Sequence, residues 1–367
     1  MKTPKLNRTP LWDAHMAAGG KMVDFAGWSM PIEYAGIIKE AGAVRNSAGM
    51  FDVSHMGRVE FSGADAERFL DFLLGANVAK LQDGGGKYTV LCNAEGGIID
   101  DCIVYRLSAG RYLLVINAAR MAADLEWIES HRPGFANVAM DDRTDAISMV
   151  AVQGPEAVRI VNRMAGGAAA AIPRFSAAEI DLDGIPTLAA RTGYTGEDGF
   201  ELMPPGGSAA ALWNKLAAAG VAPCGLGSRD VLRLEAGLAL YGNDITTETN
   251  PYEAALGWTV SLKKPAEYVA RAALAAAKER GPARRLSGLR MAAVGVPRAG
   301  MAIVDDGGNE VGRTTSGTFS PTLQLGVAMG YINVDHNQPG NRLQIDIRGN
   351  LKPAEVVKLP FHKAAMG

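Results

Sequence analysis

Residues 96–104 read GGIIDDCIV, and this stretch decides how the middle of the chain folds. The two glycines predict a turn, and the β-branched run after them predicts a strand, continuing to Tyr105, with apolar residues on both faces. Carboxylates inside such a strand are costly unless they are paired, solvated through a cleft or used chemically. Because side chains alternate along a strand, Asp100 and Asp101 point to opposite faces and cannot act as a dyad. One of them is therefore a candidate functional carboxylate, and the competing interpretation is that both hydrogen-bond the turn.

Composition limits the class of protein. The chain has 367 residues, 48% of them hydrophobic, and a formal net charge of −2. This length predicts two or three packed units, since single cores rarely grow beyond about 250 to 300 residues. Neither charge sign dominates, which argues against general binding to nucleic acid or anionic membranes. We expect a small or locally recognised partner.

Cysteine usage and the absence of sorting signals predict a protein that is cytoplasmic or already processed. Cys92, Cys102 and Cys224 are scattered and form no C-x-x-C pair, which is typical of small buried side chains in a reducing compartment. No segment has the roughly 18 uninterrupted apolar residues of a membrane span, and the beginning of the sequence lacks the apolar region of a signal peptide. The short basic lead before residues 9–12 is too short for a transit peptide.

Several common chemistries find no support in the motifs. Residues 84–88, GGGKY, resemble a phosphate loop but lack its first glycine and its final hydroxyl residue. Neither H-E-x-x-H nor G-x-S-x-G occurs. The five histidines are too widely spread to indicate a metal site.

Helical and strand-like segments are interleaved, and strands often follow strands, which predicts an α+β fold. Helices are predicted over residues 64–74, 118–130, 156–164, 208–219, 228–240 and 270–280. Strands are predicted over residues 58–61, 88–92, 98–105, 112–116, 147–153, 187–191 and 200–203. Beyond a linker at residues 281–285, strands, Gly and Pro dominate, which predicts a small all-β barrel or sandwich over residues 286–361.

Two further segments carry candidate binding groups. In GYTGEDGFE, residues 193–201, the glycines let backbone approach a flat ligand, and Glu201 is suited to accept hydrogen bonds from the edge of an aminopyrimidine-type ring. Arg229 and Arg233 share one face of a predicted helix, and Arg229 is placed to donate a fork of hydrogen bonds to a carbonyl or carboxylate. The alternatives are an exposed strand carboxylate for Glu201 and an ion pair with Asp230 or Glu235 for Arg229.

Short motifs recur in order over nearly the whole chain. They include FDVSHM at residues 51–56, RLEAG at 233–237 and YGND at 241–244, besides residues 8–11, 19–23, 25–28, 96–104, 193–201, 315–317, 320–321 and 328–331. Together these segments resemble the aminomethyltransferase (T-protein) family of the glycine cleavage system. The resemblance implies that an aminomethyl group on the lipoyl arm of the H-protein is passed to tetrahydrofolate. The products would be 5,10-methylenetetrahydrofolate, ammonia and the dihydrolipoyl arm.

The resemblance also implies an architecture. It implies two intertwined α+β folate-binding lobes and a C-terminal all-β barrel, in a three-lobed, cloverleaf-like molecule. The folate-binding region would span residues 1–280, with lobe one at about 1–50 and 145–280 and lobe two at about 51–144. The barrel domain would span residues 286–367.

Individual roles follow from the same resemblance. Asp101 falls at the position of the catalytic carboxylate, which contacts the folate nitrogens, and Glu201 and Arg229 fall where the family binds the pterin. The folate cavity would be lined by Met56, Tyr88, Asn117, Tyr194 and Trp258. No nucleophilic residue and no metal are implied, because N5 of tetrahydrofolate is itself the nucleophile. The H-protein would dock from outside, with help from Arg284, Arg285 or the pair Lys263 and Lys264.

Related folate-binding proteins supply the alternatives. One is a non-enzymatic protein of the iron–sulfur-assembly type, whose Lys-Gly-Cys-Tyr-like motif none of the three cysteines matches. Another is a folate-dependent demethylase acting on a sulfonium compound, which stays open because pocket residues rather than the fold decide the donor. Oxidase homologues are fused to a flavin domain, for which this chain has no room.

Overall fold

The structure is a computed structural model that describes residues 5–364. The chain divides into two compact units, each built from several segments. The first contains the chain up to Phe69, Lys80–Lys87 and Cys102–Asp230, and the second contains Leu70–Ala79, Tyr88–Asp101 and the chain from Val231.

The α-helices are short and are spread along the chain. They are α1 Trp12–Ala17, α2 Ile37–Asn46, α3 Ala66–Leu73, α4 Met121–His131, α5 Ala157–Met164, α6 Ala209–Ala218, α7 Leu226–Glu235 and α8 Arg271–Arg280. None of the helices within residues 5–364 is long and apolar enough to cross a membrane.

The strands before the barrel form a hairpin and two sheets. They are β1 Lys21–Phe25, β2 Trp28–Glu33, β3 Gly49–Asp52, β4 Gly57–Ser62, β5 Gly86–Cys92, β6 Ile98–Ser108, β7 Arg111–Ile116, β8 Ala139–Asp142, β9 Val150–Gln153, β10 Ala177–Leu182, β11 Ile185–Ala190, β12 Gly199–Met203 and β13 Ala222–Pro223. A six-stranded sheet has the order β10-β11-β12-β9-β3-β13, and a five-stranded sheet has the order β5-β6-β7-β4-β8.

The six-stranded sheet supports the main core of the first unit. Phe200 and Leu202 of β12 are fully buried in this core, together with the helices α5 and α6. In α5 the buried positions Ala157, Ile160, Val161 and Met164 follow the i, i+3, i+4, i+7 pattern of one helix face. This face fixes α5 against the sheet that carries Glu201.

The predicted turn and strand at residues 96–104 are confirmed. Gly96 has a φ of 87°, and its N–H donates to the Asn93 carbonyl at 3.0 Å. At Gly97 a Cβ would lie 2.0 Å from the Thr247 carbonyl oxygen, so this position accepts no side chain. The strand β6 that follows is eleven residues long and carries both Asp100 and Asp101.

The predicted C-terminal barrel is also confirmed. Its strands are β14 Arg284–Met291, β15 Ala302–Val304, β16 Glu310–Ser320, β17 Leu325–Asn333, β18 Arg342–Ile347 and β19 Asn350–Val357. They close in the order β14-β17-β16-β15-β18-β19 around an apolar interior that includes Leu289, Ile303 and Ile345. Closure leaves no free sheet edge within residues 284–357.

One predicted helix is too long. The sequence pattern extends the helix to residue 240, whereas α7 ends at Glu235. Gly237 takes a φ of 66°, with its N–H donating to the Leu234 carbonyl and the Leu238 N–H donating to the Arg233 carbonyl. This pattern is the Schellman motif, which terminates a helix at a left-handed glycine. The boundaries predicted for the two folate-binding lobes stay a prediction.

Candidate functional site

Glu201 is a buried carboxylate in β12 of the first unit. Glu201 is only 6% exposed, and its Oε2 accepts a hydrogen bond from the Thr192 hydroxyl at 2.5 Å. Ala190 of β11 pairs with Glu201, which brings Thr192, two residues beyond, within reach. Burial raises the pKa of Glu201, while the Thr192 hydroxyl and the charge of Arg229 oppose that shift. The alternative of an exposed strand carboxylate is therefore wrong.

Arg229 lies in α7 of the same unit and leaves a donor unused. Its guanidinium carbon lies 4.8 Å from the centre of the Tyr194 ring, a cation–π contact. Within residues 5–364 its buried Nη1 has no hydrogen-bond partner. Burial lowers the pKa of Arg229, and Glu201 and Tyr194 oppose that shift. Because an unsatisfied buried N–H is costly, this donor is suited to a ligand acceptor.

The glycine-rich segment of residues 193–199 is held by buried polar contacts. The Gln153 amide donates to the Thr192 carbonyl at 3.0 Å and accepts from the Thr195 hydroxyl at 2.8 Å. Arg45 donates to the Glu197 carboxylate at 2.7 Å. At Gly193 a Cβ would lie 1.9 Å from the Gln153 Oε1. This glycine therefore makes room for the Gln153 side chain, a reason that the sequence pattern did not reveal.

A second group of predicted site residues lies in the second unit. The Tyr88 hydroxyl donates to the Asp101 Oδ2 at 2.9 Å, and the Tyr88 ring stacks on Trp258 with centroids 5.7 Å apart. Trp258 is 62% exposed, so this group reaches solvent. Asp101 is half-buried, whereas Asp100 is fully buried, as expected for neighbours on opposite faces of a strand.

Met56 and Asn117 lie at matching ends of two paired strands of the first unit. Gly57 pairs with Ile116 in the antiparallel pair β4–β7, so Met56 and Asn117 lie opposite each other just beyond the pair. Both side chains are half-buried. The Met56 carbonyl accepts a hydrogen bond from the guanidinium of the fully buried Arg58, which fixes this end of β4.

Comparison with known proteins identifies the family. The model of the GCVT N-terminal domain matches residues 11–264, and that of the glycine cleavage T-protein C-terminal barrel domain matches residues 284–363. The chain belongs to the glycine cleavage T-protein family. An aminomethyltransferase of Symbiobacterium thermophilum is 44% identical over 98% of both chains. One of Bacillus subtilis is 42% identical over 98% of this chain and 99% of its own.

A solved T-protein has the same fold. The crystal structure of glycine cleavage system aminomethyltransferase T from Bartonella henselae superposes with a TM-score of 0.92. Its sequence is 37% identical, and the match covers 98% of this chain and 99% of that one. The α+β fold class and the C-terminal barrel expected from the T-protein resemblance are thereby confirmed. The roles of single residues stay predictions.

Two residues of this T-protein family member have structural roles that the sequence did not predict. Arg233, on the predicted face of Arg229, is buried and pairs with Asp244 at 2.6 Å. Lys264 is 1% exposed, and its ammonium donates to the carbonyls of Leu74 and Ala76 at 2.5 and 2.9 Å. The expectation that Lys264 helps to dock the H-protein is therefore wrong, because a buried ammonium cannot meet a partner's surface.

The cysteines match the structural interpretation. Cys92, Cys102 and Cys224 are free and buried. Burial raises the pKa of the Cys92 thiol to about 12 and that of Cys224 further, so both remain protonated and unreactive. Within residues 5–364, no group of three or more His, Cys, Asp or Glu side chains is arranged to hold a metal ion.

Sequence reasoning missed three polar residues that hold Glu201 or the glycine-rich segment beside it. Thr192, Tyr105 and Gln153 were not among the candidates, although Thr192 directly precedes the glycine-rich segment. Their contacts depend on the register of β11 with β12 and on the burial of Tyr105, which no local pattern reports. A polar residue two positions ahead of a predicted binding tyrosine is the only available signal.

Proposed function

We propose that this chain is the aminomethyltransferase of a glycine cleavage system. It transfers the methylene of an aminomethyl group, carried on the lipoyl arm of the H-protein, to tetrahydrofolate. The observation that carries the proposal is the buried Glu201 carboxylate near an Arg229 guanidinium whose Nη1 has no hydrogen-bond partner within residues 5–364. Membership of the T-protein family supports the same conclusion.

Glu201 and Arg229 complement the pterin of tetrahydrofolate. The 2-amino-4-oxo ring presents neighbouring N–H donors and a carbonyl acceptor along one edge. An ionised carboxylate accepts from the donors, and a guanidinium donates to the carbonyl. Glu201 is buried and the Arg229 Nη1 is screened from water, so the hydrogen bonds that these groups make to the ligand gain strength. Tyr194 holds the Arg229 guanidinium in place through its ring face.

Asp101 acts on the nitrogens that receive the methylene. N5 of tetrahydrofolate attacks the methylene carbon, N10 closes the second C–N bond, and the C–S and C–N bonds of the aminomethyl group break. The two protons released from N5 and N10 go to the lipoyl sulfur and to the departing ammonia. A fixed carboxylate orients the nitrogens and stabilises the iminium character that develops on the way. The Tyr88 hydroxyl, which donates to Asp101, fixes that carboxylate.

The carrier and the location complete the proposal. Arg284, Arg285 and Lys263 remain candidates to dock the H-protein; the Arg284 guanidinium is partly exposed, 3.7 Å from the Glu253 carboxylate. The three free cysteines and the bacterial relatives support a cytoplasmic location.

The buried thiols of Cys92 and Cys224 favour the enzyme over the non-enzymatic folate-binding protein. An iron–sulfur-assembly role of the kind considered above uses a reactive cysteine. Here burial raises the pKa of Cys92 to about 12, so its thiolate is scarce at neutral pH. No observation favours a sulfonium demethylase over the aminomethyl donor.

The test is an assay of ammonia release from an aminomethylated lipoyl carrier. The full chain should release ammonia only when tetrahydrofolate is present, with one 5,10-methylenetetrahydrofolate formed for each ammonia. A sulfonium methyl donor, supplied in place of the carrier, should give no folate-dependent turnover. Turnover of the sulfonium donor without turnover of the carrier would assign the chain to the demethylases.

A further inference from the structure

Two consecutive hydrogen bonds lead from Tyr105 through Thr192 to Glu201. The Tyr105 hydroxyl lies 2.7 Å from the Thr192 hydroxyl, and Thr192 donates to the Glu201 Oε2 at 2.5 Å. Tyr105 is fully buried, and its ring leaves no room for a Cβ at Gly86, which would lie 2.5 Å from the Tyr105 Cδ1. Packing therefore fixes the Tyr105 side chain, where this series of hydrogen bonds begins.

The number of available protons determines which hydroxyl donates in the hydrogen bond between Tyr105 and Thr192. A hydroxyl has one proton, and that of Thr192 is committed to the Glu201 carboxylate, which as an anion is an acceptor only. Tyr105 must then donate to Thr192. Burial and the nearby Glu201 raise the pKa of Tyr105 well above its ordinary value, so the phenol keeps its proton.

The charges around Glu201 are few. Arg229 of α7 favours the ionised carboxylate, and Tyr105 of β6 is the other titratable group that interacts with it. The residues paired with Glu201 in the sheet, Ala190 of β11 and Ala151 of β9, carry no charge. No residue within 5–364 donates a hydrogen bond to the Glu201 Oε1. The Thr192 hydroxyl is thus the one direct donor to this carboxylate in that range.

We propose that Thr192 and Tyr105 are positioning residues that keep Glu201 a carboxylate and hold its Oε2, leaving Oε1 for the N–H donors of the pterin. This inference rests on the proposed function, because it assigns the ligand of Glu201 as a reduced pterin. Thr192 thereby sets the lowest pH at which the ring binds. Burial alone would favour the neutral acid, whose Oε1 accepts more weakly from the pterin donors than a carboxylate oxygen does.

The experiment compares the full chain with Thr192→Val, Thr192→Ser and Tyr105→Phe. Thr187→Val is the matched control, because Thr187 is also buried and its hydroxyl donates to the Ile185 carbonyl. Two quantities are measured from pH 5.5 to 9: tetrahydrofolate affinity by anaerobic calorimetry, and the infrared band of protonated Glu201 in ligand-free protein, assigned with Glu201→Gln. Thermal melts verify that each variant is folded.

We expect Thr192→Val to weaken tetrahydrofolate binding about tenfold or more at low pH, the scale of a hydrogen bond to a charged group, and much less at pH 9. Its infrared titration should move upward by about one pH unit. Tyr105→Phe should shift both curves in the same direction by less, while Thr192→Ser and Thr187→Val should follow the parent.

The outcomes separate the inference from the proposed function. An affinity loss in Thr192→Val that is equal at every pH, or an unmoved infrared titration, overturns the inference. Should Thr192→Val fail to fold, Tyr105→Phe decides by the same two criteria. If Thr192→Val shifts the infrared titration of Glu201 but the parent protein binds no tetrahydrofolate, the result supports the hydrogen bonds that lead from Tyr105 through Thr192 to Glu201. It then overturns the proposed function.

Discussion

Glu201 is a buried carboxylate, and the buried Nη1 of Arg229 has no hydrogen-bond partner within residues 5–364. We expect Glu201→Ala or Arg229→Ala to weaken tetrahydrofolate binding by roughly 1.5 to 3 kcal/mol, the range for hydrogen bonds that involve a charged group. Calorimetry on folded protein measures this loss. Glu179→Ala, which removes an exposed carboxylate from β10, is the control and should leave affinity unchanged. An unaltered affinity in Glu201→Ala would remove Glu201 from the pterin site.

The buried His55 should make the stability of the folded protein depend on pH. Burial, together with the charges of Arg229 and Arg58, lowers the pKa of His55 to about 4, and Asp52 opposes that shift. The unfolded chain therefore binds a proton at His55 below about pH 6.5, where the folded chain does not. The stability linked to His55 is complete above about pH 6.5 and is lost as the pH falls toward 4.

Urea unfolding at two pH values checks this sign. Between about pH 6.5 and 5 the free energy of unfolding of the parent should fall by about 1.5 kcal/mol more than that of His55→Gln, because each pH unit contributes at most about 1.36 kcal/mol and the unfolded-state histidine is only half protonated at about pH 6.5. Parallel losses in the two proteins would show that His55 titrates alike in the folded and unfolded states.

At the residue scale, the sequence predicted which side chains could have a chemical role better than it predicted which side chains are buried. The alternation of Asp100 and Asp101 follows from strand geometry alone and agrees with their different burial. The burial of Glu201 and of Lys264 could not be predicted, because each depends on a partner segment far along the chain. Lys264, for example, donates to carbonyls that lie 190 and 188 residues away in sequence.

The turn between β5 and β6 is the element that places Asp101. A methyl group at Gly97 would lie 2.0 Å from the Thr247 carbonyl, so Gly97→Ala must displace backbone. We expect a loss of about 2 kcal/mol or more in unfolding free energy, together with reduced activity, since overpacked sites cost about 1–3 kcal/mol. Gly207→Ala is the matched control: a Cβ there would have no atom within 4 Å. Equal stability of the two variants would contradict the close approach at Gly97.

Elements with a strong local pattern were predicted well. Helix α5 and strands β6 and β12 have the expected type and nearly the expected bounds. The errors lie at ends: α7 stops at Glu235 because Gly237 adopts a left-handed conformation, whereas the apolar pattern continues past it. Helix α2 and strand β10 were not among the predicted elements.

At the scale of the whole molecule, the H-protein should be recognised partly by charge. If Arg284, Arg285 and Lys263 help to dock the carrier, raising ionic strength should increase its apparent KM, because salt screens exposed charges. Arg285→Gln should raise KM at low salt and reduce the salt dependence. Arg348→Gln, a change on the turn between β18 and β19, should do neither. A KM indifferent to salt would exclude an electrostatic docking patch.

The family could be predicted from the sequence because its motifs are spread in order over the whole chain. Composition and periodicity alone predict an α+β fold with a terminal β-domain. They do not predict the reaction, since neither Asp101 nor Glu201 belongs to a motif with a general chemical meaning. The ordered motifs supply the reaction, and the structure supplies the contacts of Tyr88, Thr192 and Arg229 that give these residues physical roles.

The most direct test of the central claim is single-turnover methylene transfer from the aminomethylated carrier at saturating tetrahydrofolate. Asp101→Asn keeps the side-chain volume and removes the charge, so we expect the transfer rate to fall by about 10² or more, with little change in melting temperature. Asp100→Asn should instead lower the melting temperature, because its side chain is fully buried, and leave the rate within a few-fold of the parent. A folded Asp101→Asn protein that transfers the methylene at nearly the parent rate would contradict the account.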